Sequence, residues 1–269
     1  MDEIRLFDVP NIDFKKHQDF INFVKTDYDP STINHDLTIV AGITERSEAS
    51  FVEALKKHGF KTSRLLGTVT QLSATYKDAP LECYLTHDPD TGVVLFLTNF
   101  RKTEEVQMIS DFLKTDSKSY YLFFSPISLR EALRTIISDY PDLVISEFTA
   151  RGADNSRLHA NIRPTSKRTI SYWGDDGRDA LLELESAYGV ITQRVVINIP
   201  GECKFGIDCK GYFTIMSGSP EYPISVLEKM IHRSQQAKRA YDTSSYHLVP
   251  AGSNKRSFNV GISKPAIIS

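Results

Sequence analysis

The chain has 269 residues, 41% of them apolar and 25% charged, and carries a formal net charge of −2. That is an ordinary globular composition, which excludes wholesale disorder, and no apolar run approaches the ~18 residues that a membrane helix needs. Its three cysteines, Cys83, Cys203 and Cys209, include no CxxC pair. They argue against both a disulfide framework and a cysteine zinc site, and read as buried strand residues. Met1-Asp2-Glu3-Ile4-Arg5 lacks the basic-then-apolar pattern of a secretory signal, so a cytoplasmic protein without membrane contact is expected.

In chain order, Phe14, Phe20, Ile21, Phe23 and Val24 give an apolar stripe that predicts a helix from Asp13 to Thr26. Leu37 to Ile43 reads as a strand. Ser47 is a suitable N-cap for a helix carrying Phe51, Val52 and Leu55, which Gly59 stops. A strand is expected near Leu65 to Ser73. Then comes a unit with hairpin chemistry: Glu82 to Thr86, the turn Asp88-Pro89-Asp90-Thr91-Gly92, an apolar strand Val93 to Thr98 and a helix from Thr103 to Leu113. Ser119 to Phe124 shows no polar alternation and reads as a central strand covered on both faces. A helix from Ser128 to Asp139 and a strand from Leu143 to Phe148 follow, and Arg151 to Lys167 reads as a loop.

The hairpin unit then recurs. Thr169 to Trp173 is a strand, Leu181 to Tyr188 a helix with Asp175 or Asp176 available as cap and Gly189 to close it, and Val190 to Ile199 a strand. Glu202 to Ile207, the turn Asp208-Cys209-Lys210-Gly211, Tyr212 to Met216 and a helix from Ile224 to His232 complete the second copy. The expected fold is therefore α+β. Two fused β-α-β-β-β-α repeats form antiparallel sheet with helices packed on one face, and an extra strand-helix-strand lies between the repeats. The units are a helical segment 1–36, a first repeat 37–118, a connecting segment 119–168, a second repeat 169–241 and an extended tail 242–269.

In this element order the chain resembles the two-repeat saddle of the TATA-box-binding protein and other domains with that fold, over about Leu37 to Ala240. The resemblance implies an open sheet face that binds nucleic acid. None of that family's sequence motifs is matched, and its paired wedge phenylalanines have no placeable counterpart, so DNA kinking is not implied.

Charge points the same way. Residues 1–150 hold 16 lysines and arginines against 23 acidic residues, a net of −7, while residues 151–269 hold 16 against 11, a net of +5. The segment from Arg151 to Arg168 carries Arg151, Arg157, His159, Arg163, Lys167 and Arg168 against Asp154 alone, and its Ser, Asn and Gly residues leave backbone donors open to phosphates. The last helix and tail add His232, Arg233, Lys238, Arg239, Lys255 and Arg256, with Tyr241 and Tyr246 as stacking surfaces. Arg151, Arg157, Arg163, Lys167, Arg168, Arg233, Lys238 and Arg239 are thus the candidate nucleic-acid ligands. The alternative is that they are solvated loop and helix residues. Nothing separates DNA from RNA or single from double strands.

The enzymatic alternative is a Mg²⁺-dependent nuclease resembling the PD-(D/E)xK type. Glu202-Cys203-Lys204 has the acid-x-Lys spacing, with Asp179 and also Asp175 and Asp176 upstream, and Asp208-Cys209-Lys210 is a second such triplet. Helix capping is the competing role for Asp175 and Asp176. His87-Asp88-Pro89-Asp90 offers metal-ligand types, but on a sequence that a tight turn prefers. No G-x-S-x-G, Walker A or G-x-G-x-x-G pattern occurs, so no other cofactor is implied. A third reading is a protein-interaction subunit docking on a larger partner, with Ser257 to Ile262 as an edge strand. A cleft between the halves could also take a small molecule.

Overall fold

The structure, a computed structural model, describes residues 12–27, 36–76, 79–98, 106–152, 169–243, 247–248 and 260–261, with side chains at 27, 76, 79–81 and beyond 236 left aside. Among them, six helices pack on one large antiparallel sheet. Helix α1 (His17–Asp27) leads to β1 (Leu37–Thr44), α2 (Glu48–Lys57), the strands β2 (Lys61–Leu66), β3 (Val69–Tyr76), β4 (Ala79–His87) and β5 (Val93–Thr98), and α3 (Gln107–Thr115). The connecting segment supplies β6 (Ser119–Tyr121), α4 (Pro126–Asp139) and β7 (Val144–Arg151). The second half follows as β8 (Thr169–Trp173), α5 (Gly177–Tyr188), β9 (Ile191–Ile199), β10 (Cys203–Asp208), β11 (Tyr212–Gly218) and α6 (Glu221–Thr243). A separate ladder joins β12 (His247–Leu248) to β13 (Val260–Gly261).

The main sheet runs β2-β3-β4-β5-β1-β11-β10-β9-β7-β8, with β6 paired to β1 off this path. The halves meet where β1 pairs β11, Leu37 opposite Ile215 and Val40 opposite Tyr212. The join is continuous in the core too. One cluster takes Phe20 and Val24 of α1, Ile39 of β1, Leu133 of α4, Ile197 of β9, Phe205 of β10 and Leu227 of α6. Apolar residues at helical and strand spacing from both halves thus bury one another.

A second cluster lies on the opposite face of the first half. Phe51 and Leu55 of α2 and Ile109, Phe112 and Leu113 of α3 pack there on Val40, Cys83, Leu85, Val94 and Phe96. Helices therefore cover both faces of this half, which corrects the expectation of helices on one face. The reason is visible in β5, Val93-Val94-Leu95-Phe96-Leu97-Thr98, buried at every position: a strand with apolar residues on both faces needs cover on both. In the second half the core side is lined by Val195, Ile197, Phe205, Ile207, Phe213 and Ile215. Arg194, Lys204, Thr214 and Met216 alternate with them, and on that side Tyr212, at the start of β11, packs against the cluster of α2 and α3 and hydrogen-bonds the Ser110 hydroxyl of α3.

Three more expectations are corrected. The strand expected at Leu65 to Ser73 is two strands, β2 and β3, because Gly67 turns the chain with φ +67°, and a Cβ there would stand 2.1 Å from the Phe14 carbonyl. The first half consequently has four strands after its helix, and the second half three. The run Ser119 to Phe124 is not a central strand. Only Ser119–Tyr121 pairs, at the end of β1, and Tyr120 and Phe123 are 50% and 56% exposed while Phe124 is fully buried. The last helix runs on from His232 to Thr243. Val260–Gly261, inside the expected tail strand, pairs with β12 of the same chain.

Capping differs in detail as well. Ser125 caps α4, its hydroxyl accepting the Ser128 amide at 3.1 Å, with Pro126 beginning the helix. Ser47 and Asp176 occupy N-cap positions but make no side-chain capping bond. The Asp176 carboxylate instead takes the Tyr172 hydroxyl, which raises the pKa of that phenol. Gly189 closes α5 in the left-handed conformation, as expected.

Candidate nucleic-acid interface

Strand direction decides which residues can act together. Register places Arg151 of β7 opposite Thr169 of β8 and Ile191 of β9, and on β10 and β11 the same end of the sheet is the turn from Asp208 to Tyr212. Helix α6 starts after β11 at the opposite end and crosses the core face. By Ile231, His232 and Gln235 it lines a cavity of about 170 Å³ with His17, Asp88 and Val93, near the C-terminal end of β1. Its later residues, Lys238 and Arg239 among them, continue in the same direction along the strands, from a point over β1 and β5 that is four strands from β7 in the sheet order. The base of the basic segment and the basic part of α6 therefore leave the sheet at one end.

Of the individual candidates, Arg151 is exposed at the last position of β7. Arg157, Arg163, Lys167 and Arg168 lie outside the described residues, as do His159, Tyr246, Lys255 and Arg256, and the side chains of Lys238, Arg239 and Tyr241. Arg233 is already engaged, its Nη1 3.4 Å from Glu131 Oε2 on α4. With both partners about half exposed, that pair contributes little to stability and can yield to a phosphate.

The sequence reasoning missed several groups at the same end. Lys210 is exposed in the β10–β11 turn and Lys118 just before β6, and neither makes an ion pair among the described residues. Between them pass Tyr120, Phe123 and Ile127, which is 69% exposed at the start of α4. The run of aromatics in 120–124 was itself the signal. What hid it is that an unbroken apolar run reads as buried.

The turn from Asp208 is built by its own backbone. The Lys210 amide donates to Asp208 Oδ1 at 2.7 Å, and Gly211 has φ +81° with the Leu122 and Ala41 carbonyls crowding the place of a Cβ. Burial raises the Asp208 carboxyl pKa, partly offset by the Lys210 amide. This second acid-x-Lys triplet thus has a structural role. Asp88 does the same in the first hairpin, accepting the Asp90 amide at 3.1 Å and the Thr91 hydroxyl.

The nuclease candidates lie at the other end of the sheet. Glu202, in the β9–β10 turn, lines a cavity of about 280 Å³ with Tyr140, Cys203, Glu221 and Tyr222, while Lys204 follows Cys203 on β10 and so alternates away from the core. Asp179 sits in the first turn of α5. No hydrogen bond or ion pair joins these three, and among the described residues no three His, Cys, Asp or Glu side chains group to hold a metal ion. No described helix is long and apolar enough to cross a membrane.

Comparison with known proteins adds two findings. The AF_0896_M family middle domain matches residues 128–210, which here run from α4 through β7, β8, α5 and β9 to the turn after β10. An uncharacterized protein of Archaeoglobus fulgidus is 24% identical over 201 residues, covering 72% of this chain and 53% of its own length. The chain thus spans about half the length of that relative. The matched family segment contains Arg151, Asp179, Glu202 and Lys210, and stops before β11 and α6.

Proposed function

We propose that the protein is a nucleic-acid-binding, non-catalytic accessory protein, acting as a subunit of a nucleic-acid-processing complex. The observation that carries this reading is that the basic segment's base at Arg151, the exposed Lys118 and Lys210, and the direction of the basic part of α6 all belong to the same end of the strands of the main sheet. Clustered lysines and arginines gain affinity from a polyanion by releasing its counterions, without needing a fixed spacing motif. The two-repeat, TATA-box-binding-protein-like organisation belongs to the same reading. It is supported by the β-α-β-β-β-α order of residues 169–243 and by the polar residues Arg194, Lys204 and Thr214 on one side of the sheet in that half. The nuclease alternative has no comparable support, since no hydrogen bond or ion pair joins Asp179, Glu202 and Lys204.

Charge reversal tests it. Changing Arg157, Arg163 and Arg168 to Glu together is expected to weaken binding of every nucleic acid sequence alike and to flatten the salt dependence. An unchanged salt slope removes that segment from the site.

A further inference from the structure

Independently of that reading, we infer that the outer edge of β8 pairs antiparallel with β8 of a second copy of the chain, in a two-fold register centred on Ser171. The path of the main sheet ends at β2 on one side and at β8 on the other, and the two ends are built differently. β2 carries Lys61 and Arg64, and its register against β3 shifts between Thr62 and Arg64. Charge and a bulge keep an exposed edge from pairing with another chain. β8, Thr169-Ile170-Ser171-Tyr172-Trp173, has neither: it holds no charged residue, and its register against β7 runs unbroken from Trp173 opposite Glu147 to Thr169 opposite Arg151. Among the described residues no strand pairs with its outer side. Helix α5 starts inboard of it, with Gly177 so close to β7 that a Cβ would stand 2.1 Å from the Ile145 carbonyl.

Register fixes what this edge offers. The Gly174 amide donates to the Ser146 carbonyl of β7 at 3.1 Å, so Tyr172 and Ile170 also turn their backbone groups to β7, while Thr169, Ser171 and Trp173 turn theirs outward. About a two-fold axis at Ser171, Ser171 faces its own copy and Thr169 faces Trp173. Every outward-turned residue then meets another, and no donor or acceptor is left over. The side chains agree with this register. Thr169, Ser171 and Trp173 are all exposed, and Trp173, 70% exposed, gains cover from Thr169 of the other copy, while Ile170 and Tyr172 stay packed on their own core. Charge selects the antiparallel arrangement. Asp175 and Asp176 stand exposed just past Trp173, Glu147 opposite it is shared with Arg194 at 3.6 Å, and Arg151 stands at the other end opposite Thr169. Antiparallel pairing sets the acidic end of one copy alongside the basic end of the other and keeps the two sets of carboxylates a strand length apart, whereas parallel pairing sets like ends together. This self-complementarity favours a second copy over an unrelated extended peptide.

The test is sedimentation velocity of the full chain from micromolar to submillimolar concentration, with the emission of Trp173, the single tryptophan, followed over the same range. A monomer–dimer equilibrium is expected, with emission moving to shorter wavelength as the dimer fills. Ser171→Pro removes the central outward amide from both copies and is expected to raise the dimer dissociation constant about tenfold or more. Ser171→Lys and Ser171→Asp each set two like charges face to face and are expected to raise it about fivefold, and an equimolar mixture of these two variants is expected to recover native affinity as a heterodimer. Circular dichroism checks that each variant is folded, and position 171, exposed on an edge strand, tolerates the two charged side chains if proline disturbs β8. A monomer at every concentration overturns the inference. So does a dimer indifferent to all three substitutions, and so does a mixture that associates no better than its components.

Discussion

Phe213 lies at the seam between the halves, and its removal measures how far they are one folding unit. It is fully buried on β11, opposite Ile39 of β1 on one side and Ile207 of β10 on the other, and stacks on Phe205 with ring centroids 5.8 Å apart. Truncating such a phenylalanine to alanine costs about 3–5 kcal/mol, which includes the cavity left behind, and a lost aromatic pair accounts for about 0.5–1.5 kcal/mol of that. Phe213→Ala should therefore lower the urea midpoint by about 1 M or more. Because β1 pairs β11 and one apolar cluster spans both halves, circular dichroism and Trp173 fluorescence should report a single, coincident transition in both proteins. Phe96→Ala, in the first-half core, should move that same transition. Two separable transitions, with Phe213→Ala moving one and Phe96→Ala the other, would refute the shared core.

Two further perturbations follow from local chemistry. Arg46 donates to both carboxylate oxygens of Asp116, at 3.0 and 2.6 Å, and this holds the Asp116 pKa below its usual value. A lowered carboxyl pKa contributes stability that is fully present above the unfolded value and lost as pH falls through the folded one. Asp116→Asn should cost about 1.5–3 kcal/mol at neutral pH, and urea midpoints of the two proteins should converge at acid pH. A gap independent of pH would contradict the pairing. Burial raises all three thiols, Cys83 most, Cys203 to about 12 and Cys209 to about 11. None should react with a thiol reagent near pH 8 in the native protein, and all three should react in urea. Rapid native labelling of any one would show that its strand opens.

Legibility in the sequence tracked the type of signal. Alternation and turn chemistry placed β1, β4, β5, β9, β10 and β11 closely, since Asp-Pro-Asp-x-Gly and Asp-Cys-Lys-Gly leave a hairpin little choice. Where a run was apolar throughout, the same pattern served two outcomes. Val93 to Thr98 is indeed covered on both faces, whereas Tyr120 and Phe123 of a similar run reach solvent, because the chain leaves β1 after Tyr121 to cross the β10–β11 turn. Helix α6 outruns the expected end at His232 for another reason. Ser234-Gln235-Gln236-Ala237-Lys238-Arg239-Ala240 has good helix formers but no apolar stripe, so periodicity ends where propensity carries on. The two-faced helix cover is legible in β5, whose unbroken apolar run from Val93 to Leu97 leaves neither face polar. The interface was half legible: the cations stand out by composition, but which end of the strands each belongs to depends on strand register.

The most direct measurement is the salt dependence of nucleic acid binding by the unaltered chain. If Arg151, Lys118 and Lys210 each neutralise one phosphate of a single strand, the logarithm of affinity should fall against the logarithm of salt with a slope of about −2 or steeper, about fifteenfold between ~50 and ~200 mM. Binding that ignores salt, or no binding at the lowest salt, would contradict a nucleic-acid interface at this end of the sheet.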